Sequence, residues 1–166
     1  MKNMFYFHNI NSIGGVESFL YYLSRKYCNK DICVYYQTGD EAQIDRLRNF
    51  VRVEKWNGKI IECEKAFFNY NPDIIDYVKA KEYIGVIHAD FIALNQKPYL
   101  NHKITRYIGV SKQACDTFTK LTGLKCELSY NPIVLDEPRR VLNLISATRL
   151  TYEKGKSRII KLRRDT

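Results

Sequence analysis

No stretch of this chain approaches the roughly 20 consecutive apolar residues that a membrane-spanning helix requires. The N-terminus offers one lysine and a four-residue apolar run, Met4–Phe7, before His8 interrupts it, which is not the pattern of a secretory leader. A cytoplasmic protein is therefore expected. Cysteine is present without organisation: Cys28, Cys33, Cys63, Cys115 and Cys126 are odd in number and form no C-x-x-C, and no histidine stands at zinc-finger spacing from them. Reduced, mostly buried thiols are expected, in place of a disulfide framework or a metal site. The dinucleotide fingerprint G-x-G-x-x-G is absent, so a nicotinamide or flavin site is not supported. Also missing are an internal repeat, a low-complexity segment, a carboxylate pair, a Ser-His-Asp order and a metal-ligating cluster.

What is there reads as globular. The 166 residues are 45% hydrophobic and 13% aromatic, with 13 Tyr and 8 Phe, enough for one ordinary domain with its own core. The net charge of +9 is uneven: residues 1–135 hold 18 Lys+Arg against 14 Asp+Glu, and residues 136–166 hold 9 against 4. An excess of +5 in the last fifth suits an anionic partner, whether a nucleotide, a nucleic acid or an anionic membrane surface.

The most informative stretch is Ser12-Ile-Gly-Gly-Val-Glu17. The apolar run before it predicts a strand, and Val16, Phe19, Leu20, Leu23 and Tyr27 after it fall on one helical face. Two glycines between them let the backbone turn sharply and leave it open to close approach. The helix start then aims unpaired N–H groups and the positive end of its dipole into the gap, where anions bind. Further strands are predicted over 31–38, 51–56, 66–69, 84–87, 104–110 and 126–130. Helices are predicted over 41–50, capped by Asp40, over 73–83, and over 112–121, capped by Ser111 and stopped by Gly123. Residues 59–65 fit no single pattern. Strands alternating with helices argue for βαβ units in an α/β fold with a largely parallel sheet, whose ligands sit beyond the carboxyl ends of the strands. The Gly14-Gly15 loop and His88, which follows Ile84-Gly-Val-Ile87, both fall at such ends. Residues 132–140, with two prolines and four charges, read as a linker. Residues 141–166 restart a β-loop-α pattern that cannot bury its own apolar faces.

At Ser146-Ala-Thr-Arg-Leu-Thr-Tyr-Glu-Lys-Gly155 the chain resembles retaining glycosyltransferases of family 4, of the two-Rossmann-domain GT-B architecture. The Gly14-Gly-Val-Glu17 loop, the strand-His element Val86-Ile-His-Ala-Asp90, Tyr107-Ile-Gly-Val-Ser-Lys112 and Asn131-Pro-Ile133 follow the family's order. The resemblance implies a Rossmann-like acceptor-side domain over 1–131 and the truncated start of a nucleotide-sugar-binding domain over 141–166. It implies that Arg149 and Lys154 grip the donor diphosphate and meet the charge that builds on the leaving nucleotide. Gly14 and Gly15 would lie against diphosphate and acceptor, Glu17 matches the motif, and His88 would contact the donor sugar. Asp90 would orient His88 or sit in solvent, and Ser111 is explained equally by capping and by acceptor contact.

The implied activity is transfer of a hexose from a nucleotide sugar to a polysaccharide or lipid-linked acceptor with retention of configuration. No metal or other cofactor is expected. The family's Glu-x7-Glu segment should follow and does not, so a truncated chain with little or no turnover is expected. Peripheral membrane contact accords with the family, and the unburied apolar faces of 141–162 argue for a homodimer or for local disorder. Two other classes remain open: a non-catalytic basic module for an anionic membrane or nucleic acid, and a partner subunit of a split enzyme. No nucleic-acid-reading motif is present, which disfavours nucleic acid.

Overall fold

The computed structural model describes residues 1–11, 14–28 and 30–132. The chain separates into two units, Met1–Val134 and Leu135–Thr166, a division that falls within the stretch expected to be a linker. The 141–166 β-loop-α pattern, Arg149 and Lys154 lie outside the described residues, as do Ser12 and Ile13 of the glycine loop.

The first strand, β1 (Asn3–Ile10), feeds the helix α1 (Gly15–Lys26), which returns to β2 (Ile32–Gly39). Helix α2 (Glu41–Arg48) then leads to β3 (Arg52–Lys55). After it come β4 (Ile61–Asn69), a 3-10 turn at Ile75–Tyr77, β5 (Val78–Ile87), β6 (Arg106–Gly109), α3 (Lys112–Thr122) and β7 (Cys126–Leu128). The seven strands form one sheet in the order β3-β2-β1-β4-β5-β6-β7, and every neighbouring pair is parallel. The fold is a Rossmann-like α/β sheet with flanking helices. Both outer strands are short, four and three residues, which limits the unpaired edge each presents.

The strand order explains the composition. A parallel strand covered on both faces has no polar side to show, hence the almost unbroken apolar run of β1. Met4 and Tyr6 enter one core with Tyr35, Phe68, Ile74, Ile75, Phe91, Tyr107 and Phe118. Phe5 and Phe7 enter the other, where Phe19, Leu20 and Leu23 of α1 and Ile44 and Leu47 of α2 pack on Val34, Tyr36 and Val53.

The predicted caps are present. Asp40 accepts a hydrogen bond from Gln43 N at 3.0 Å, and Ser111 Oγ accepts one from Ala114 N at 3.1 Å. Gly123 ends α3 in the left-handed region at φ 74°, where a side chain would be strained.

The helix predicted over 73–83 is not formed. Only Ile75–Tyr77 turns, as 3-10, and Val78 onward is strand. Ile74, Ile75 and Val78 suggest a helical stripe, but all three are β-branched and pack equally well on a pleated surface. The polar half of the segment is held by charge pairing with β4, itself longer than the predicted 66–69. Lys79 Nζ lies 3.3 Å from Glu62, Lys81 Nζ 3.4 Å from Glu64, and Glu82 2.8 Å from Lys65 Nζ. Glu62 pairs with Lys79 and Lys65 with Glu82 in the strand register, so residues 59–65, which fitted no single local pattern, acquire their structure from a partner strand.

Candidate functional site

The chain leaves β1 toward β2 on one side, and later returns to place β4 on the other side of β1. Connections diverge at this seam, and the crevice beyond the carboxyl ends of β1 and β4 is where such sheets hold ligands. The register Phe7↔Asn69↔Val86 sets the ends of β4 and β5 within one residue of each other, and β1 runs three residues further, to Ile10. Three features therefore share one rim: the α1 start after β1, Asn69 at the end of β4, and His88 just past β5.

At the α1 start the two glycines do different jobs. Gly14 has extended backbone at φ 174°, so its conformation does not require glycine. A Cβ there would displace the Glu17 carboxylate, the movable end of a flexible side chain. Gly15, the first residue of α1, has no atom of the described residues within 4 Å of where its Cβ would stand. Glu17 is buried, and its Oε1 accepts a hydrogen bond from Asn11 N at 3.2 Å. This carboxylate partly answers the helix dipole from inside the chain. Among the described residues, the open position at this helix start is Gly15.

His88 Nε2 lies 2.7 Å from Asn69 Oδ1, and Asn69 Nδ2 donates to the Tyr6 carbonyl at 3.0 Å. The imidazole meets the Phe19 ring edge-on at 4.8 Å between centroids and the Tyr70 ring at 5.7 Å. This enclosure strips water from the ring, and burial lowers its pKa to about 4. His88 is therefore a neutral imidazole at physiological pH. Tyr70 reaches it from a left-handed backbone at φ 59°, a conformation costing about 1–2 kcal/mol for a residue with a Cβ.

Asp90 and Ser111 have other partners. Asp90 Oδ1 accepts from the N–H groups of Ile92 and Ala93, both at 3.0 Å, and its Oδ2 accepts from Gln113 Nε2 at 2.6 Å. It ties the loop after β5 to α3, and the Ala93 bond is the main reason its carboxyl is held below the usual range. Ser111 is the α3 cap.

The sequence reading missed Asn69, Tyr70 and a second polar group on the opposite face of the same seam. There His8 Nδ1 lies 2.8 Å from Asp73 Oδ2. The Tyr6 hydroxyl is fully buried without a hydrogen-bond partner among the described residues, and Asp73 and Gln37 stand near it. Burial first, then Asp73, pushes that phenol further from ionising. Asn69 and Asp73 flank Asn71-Pro72, where the strand ends, which was the one signal that could have marked them.

A groove of about 800 Å³ runs over the α1 face of the sheet, from Phe19 and Val110 past Phe5 and Phe67. Lys2, Lys26 and Lys30 also line it. All five cysteines are free; Cys33 and Cys115 are buried and Cys28 is exposed. Among the described residues no helix is long and apolar enough to cross a membrane.

Fold and rim together define a Rossmann-like α/β unit with its candidate site at the topological switch point. Compared with known protein families, curated proteins and solved structures, the chain matches none.

Proposed function

We propose that this chain is the acceptor-side part of a hexosyltransferase that uses a nucleotide sugar, transferring to a glycan or lipid-linked acceptor with retention. The observation that carries the reading is the presence, at one strand-end rim, of a helix start open at Gly15 among the described residues and of His88, its ring held by Asn69, Phe19 and Tyr70. The first suits an anionic diphosphate. The second suits the uncharged hydroxyls of a sugar and does not compete for the diphosphate. The family-4-like motifs from Gly14 to Gly155 support the same assignment from the sequence side.

The test is calorimetric titration of the chain with UDP, GDP and their hexose conjugates, wild type beside Gly15→Val. A valine at Gly15 meets no atom of the described residues through its Cβ, so the unfolding midpoint should stay close to wild type. Binding of one nucleotide series that the valine weakens tenfold or more is the expected result. Equal binding by both proteins would overturn this placement of the site.

The groove favours a second reading, a basic module that docks on anionic lipid. Three lysines beside an apolar channel fit an amphiphile with a negative head. Flotation with anionic but not neutral vesicles, reduced by Lys26→Glu/Lys30→Glu, would support it; no flotation would end it.

A further inference from the structure

We propose that Asn69 is a positioning residue that fixes His88 as its Nε2–H tautomer, leaving Nδ1 as a hydrogen-bond acceptor for a ligand hydroxyl. The argument runs from the backbone outward. The Tyr6 carbonyl can only accept, so the group of Asn69 that lies 3.0 Å from it is the amide NH₂. That leaves Asn69 Oδ1, which can only accept, 2.7 Å from His88 Nε2. The proton of a neutral imidazole must then sit on Nε2. Nδ1 keeps its lone pair and has no hydrogen-bond partner among the described residues.

Asn69 cannot rotate to reverse this. Its side chain is 1% exposed, at the end of a strand paired on both sides, with β1 and with β5. Phe19 and Tyr70 fix the ring plane from two other directions. The β1 backbone thus dictates, through one amide, which hydrogen-bonding face the histidine offers.

The consequence concerns ligand class. A neutral acceptor is repelled by phosphate oxygens and satisfied by a hydroxyl that donates. His88 would therefore read a sugar hydroxyl and leave the diphosphate to other groups. This choice of ligand rests on the proposed function; the tautomer does not.

The experiment is long-range ¹H–¹⁵N correlation NMR of the full chain at neutral pH, with the His88 ring assigned by its loss in His88→Gln. The expected pattern is a single tautomer protonated at Nε2. Asn69→Leu, which removes the acceptor facing Nε2, should lose the single tautomer. A wild-type ring protonated at Nδ1, or a mixture of tautomers, overturns the proposal without needing any variant. Nucleoside diphosphate hexose and free nucleoside diphosphate are then added in turn. A shift of Nδ1 with the hexose conjugate alone supports the hydroxyl assignment, and the same shift with free diphosphate overturns it. The expected tautomer with no response to either ligand would overturn the proposed function and leave Asn69's role standing.

Discussion

The pKa of His88 turns a local geometry into a bulk observable. An unburied histidine titrates near 6.5, and in this fold His88 is lowered to about 4. Its ring faces Asn69, Phe19 and Tyr70, and Glu17 is the charged group nearby, close enough to act on Tyr70. Above pH 6.5 neither state protonates the ring and the full stability is present. As pH falls, the unfolded chain takes up a proton that the folded chain refuses, so stability drains from 6.5 down to 4 and levels below. The difference between those two values corresponds to about 3 kcal/mol. Urea unfolding across this window should show the loss in wild type and a much flatter profile in His88→Gln. Asp76, Glu82 and Asp90 are held below their ordinary values, so their losses begin lower, near pH 4. Equal slopes in the two proteins would mean that the imidazole is not desolvated. His88 and the glycine pair were legible in the sequence because each stands at the end of a local pattern. Asn69 and the His8–Asp73 pair were not, since their partners lie 19 and 65 residues away.

At the scale of elements, what was legible depended on whether the signal is local. Caps are local: Asp40, Ser111 and Gly123 act within a few residues, and each was placed correctly. The stretch 73–83 shows the opposite case. Its alternation of Val78, Lys79, Ala80 and Lys81 is a strand pattern only when Glu62 and Glu64 stand opposite. Cross-strand pairs this exposed contribute roughly 0.2–1 kcal/mol each, little for stability but consistent in direction along the ladder. Charge reversal tests that direction. Lys79→Glu should lower stability by about that amount, Glu62→Lys should do the same, and the double exchange should recover most of both losses. The coupling should weaken at high salt. A double variant no better than the sum of the singles would show that the ladder does not set the register.

The first unit is two cores sharing one sheet, and β1 and β4 carry residues of both. Phe68 belongs to the first core, 1% exposed, between Tyr6 at 6.1 Å and Tyr83 at 6.5 Å between ring centroids. Phe67, its neighbour, turns to the opposite face, stacks on Phe5 at 4.4 Å and lines the large groove. The two phenylalanines therefore sample the two sides of one strand. Truncating Phe68 leaves a cavity walled by rigid rings and should cost about 3–5 kcal/mol, with the transition still single because the sheet is continuous from β3 to β7. Truncating Phe67 removes a ring that already borders open space, so less packing is lost and the cost should be at least about 1 kcal/mol smaller. Denaturant midpoints of Phe67→Ala and Phe68→Ala settle the comparison. Equal losses would mean that Phe67 is packed as tightly as Phe68, and the groove beside it would then be too closed to admit an amphiphile. A clear gap would leave the Phe68 face of the seam as rigid backing and the Phe67 face, on which His88 packs against Phe19, as accessible apolar surface.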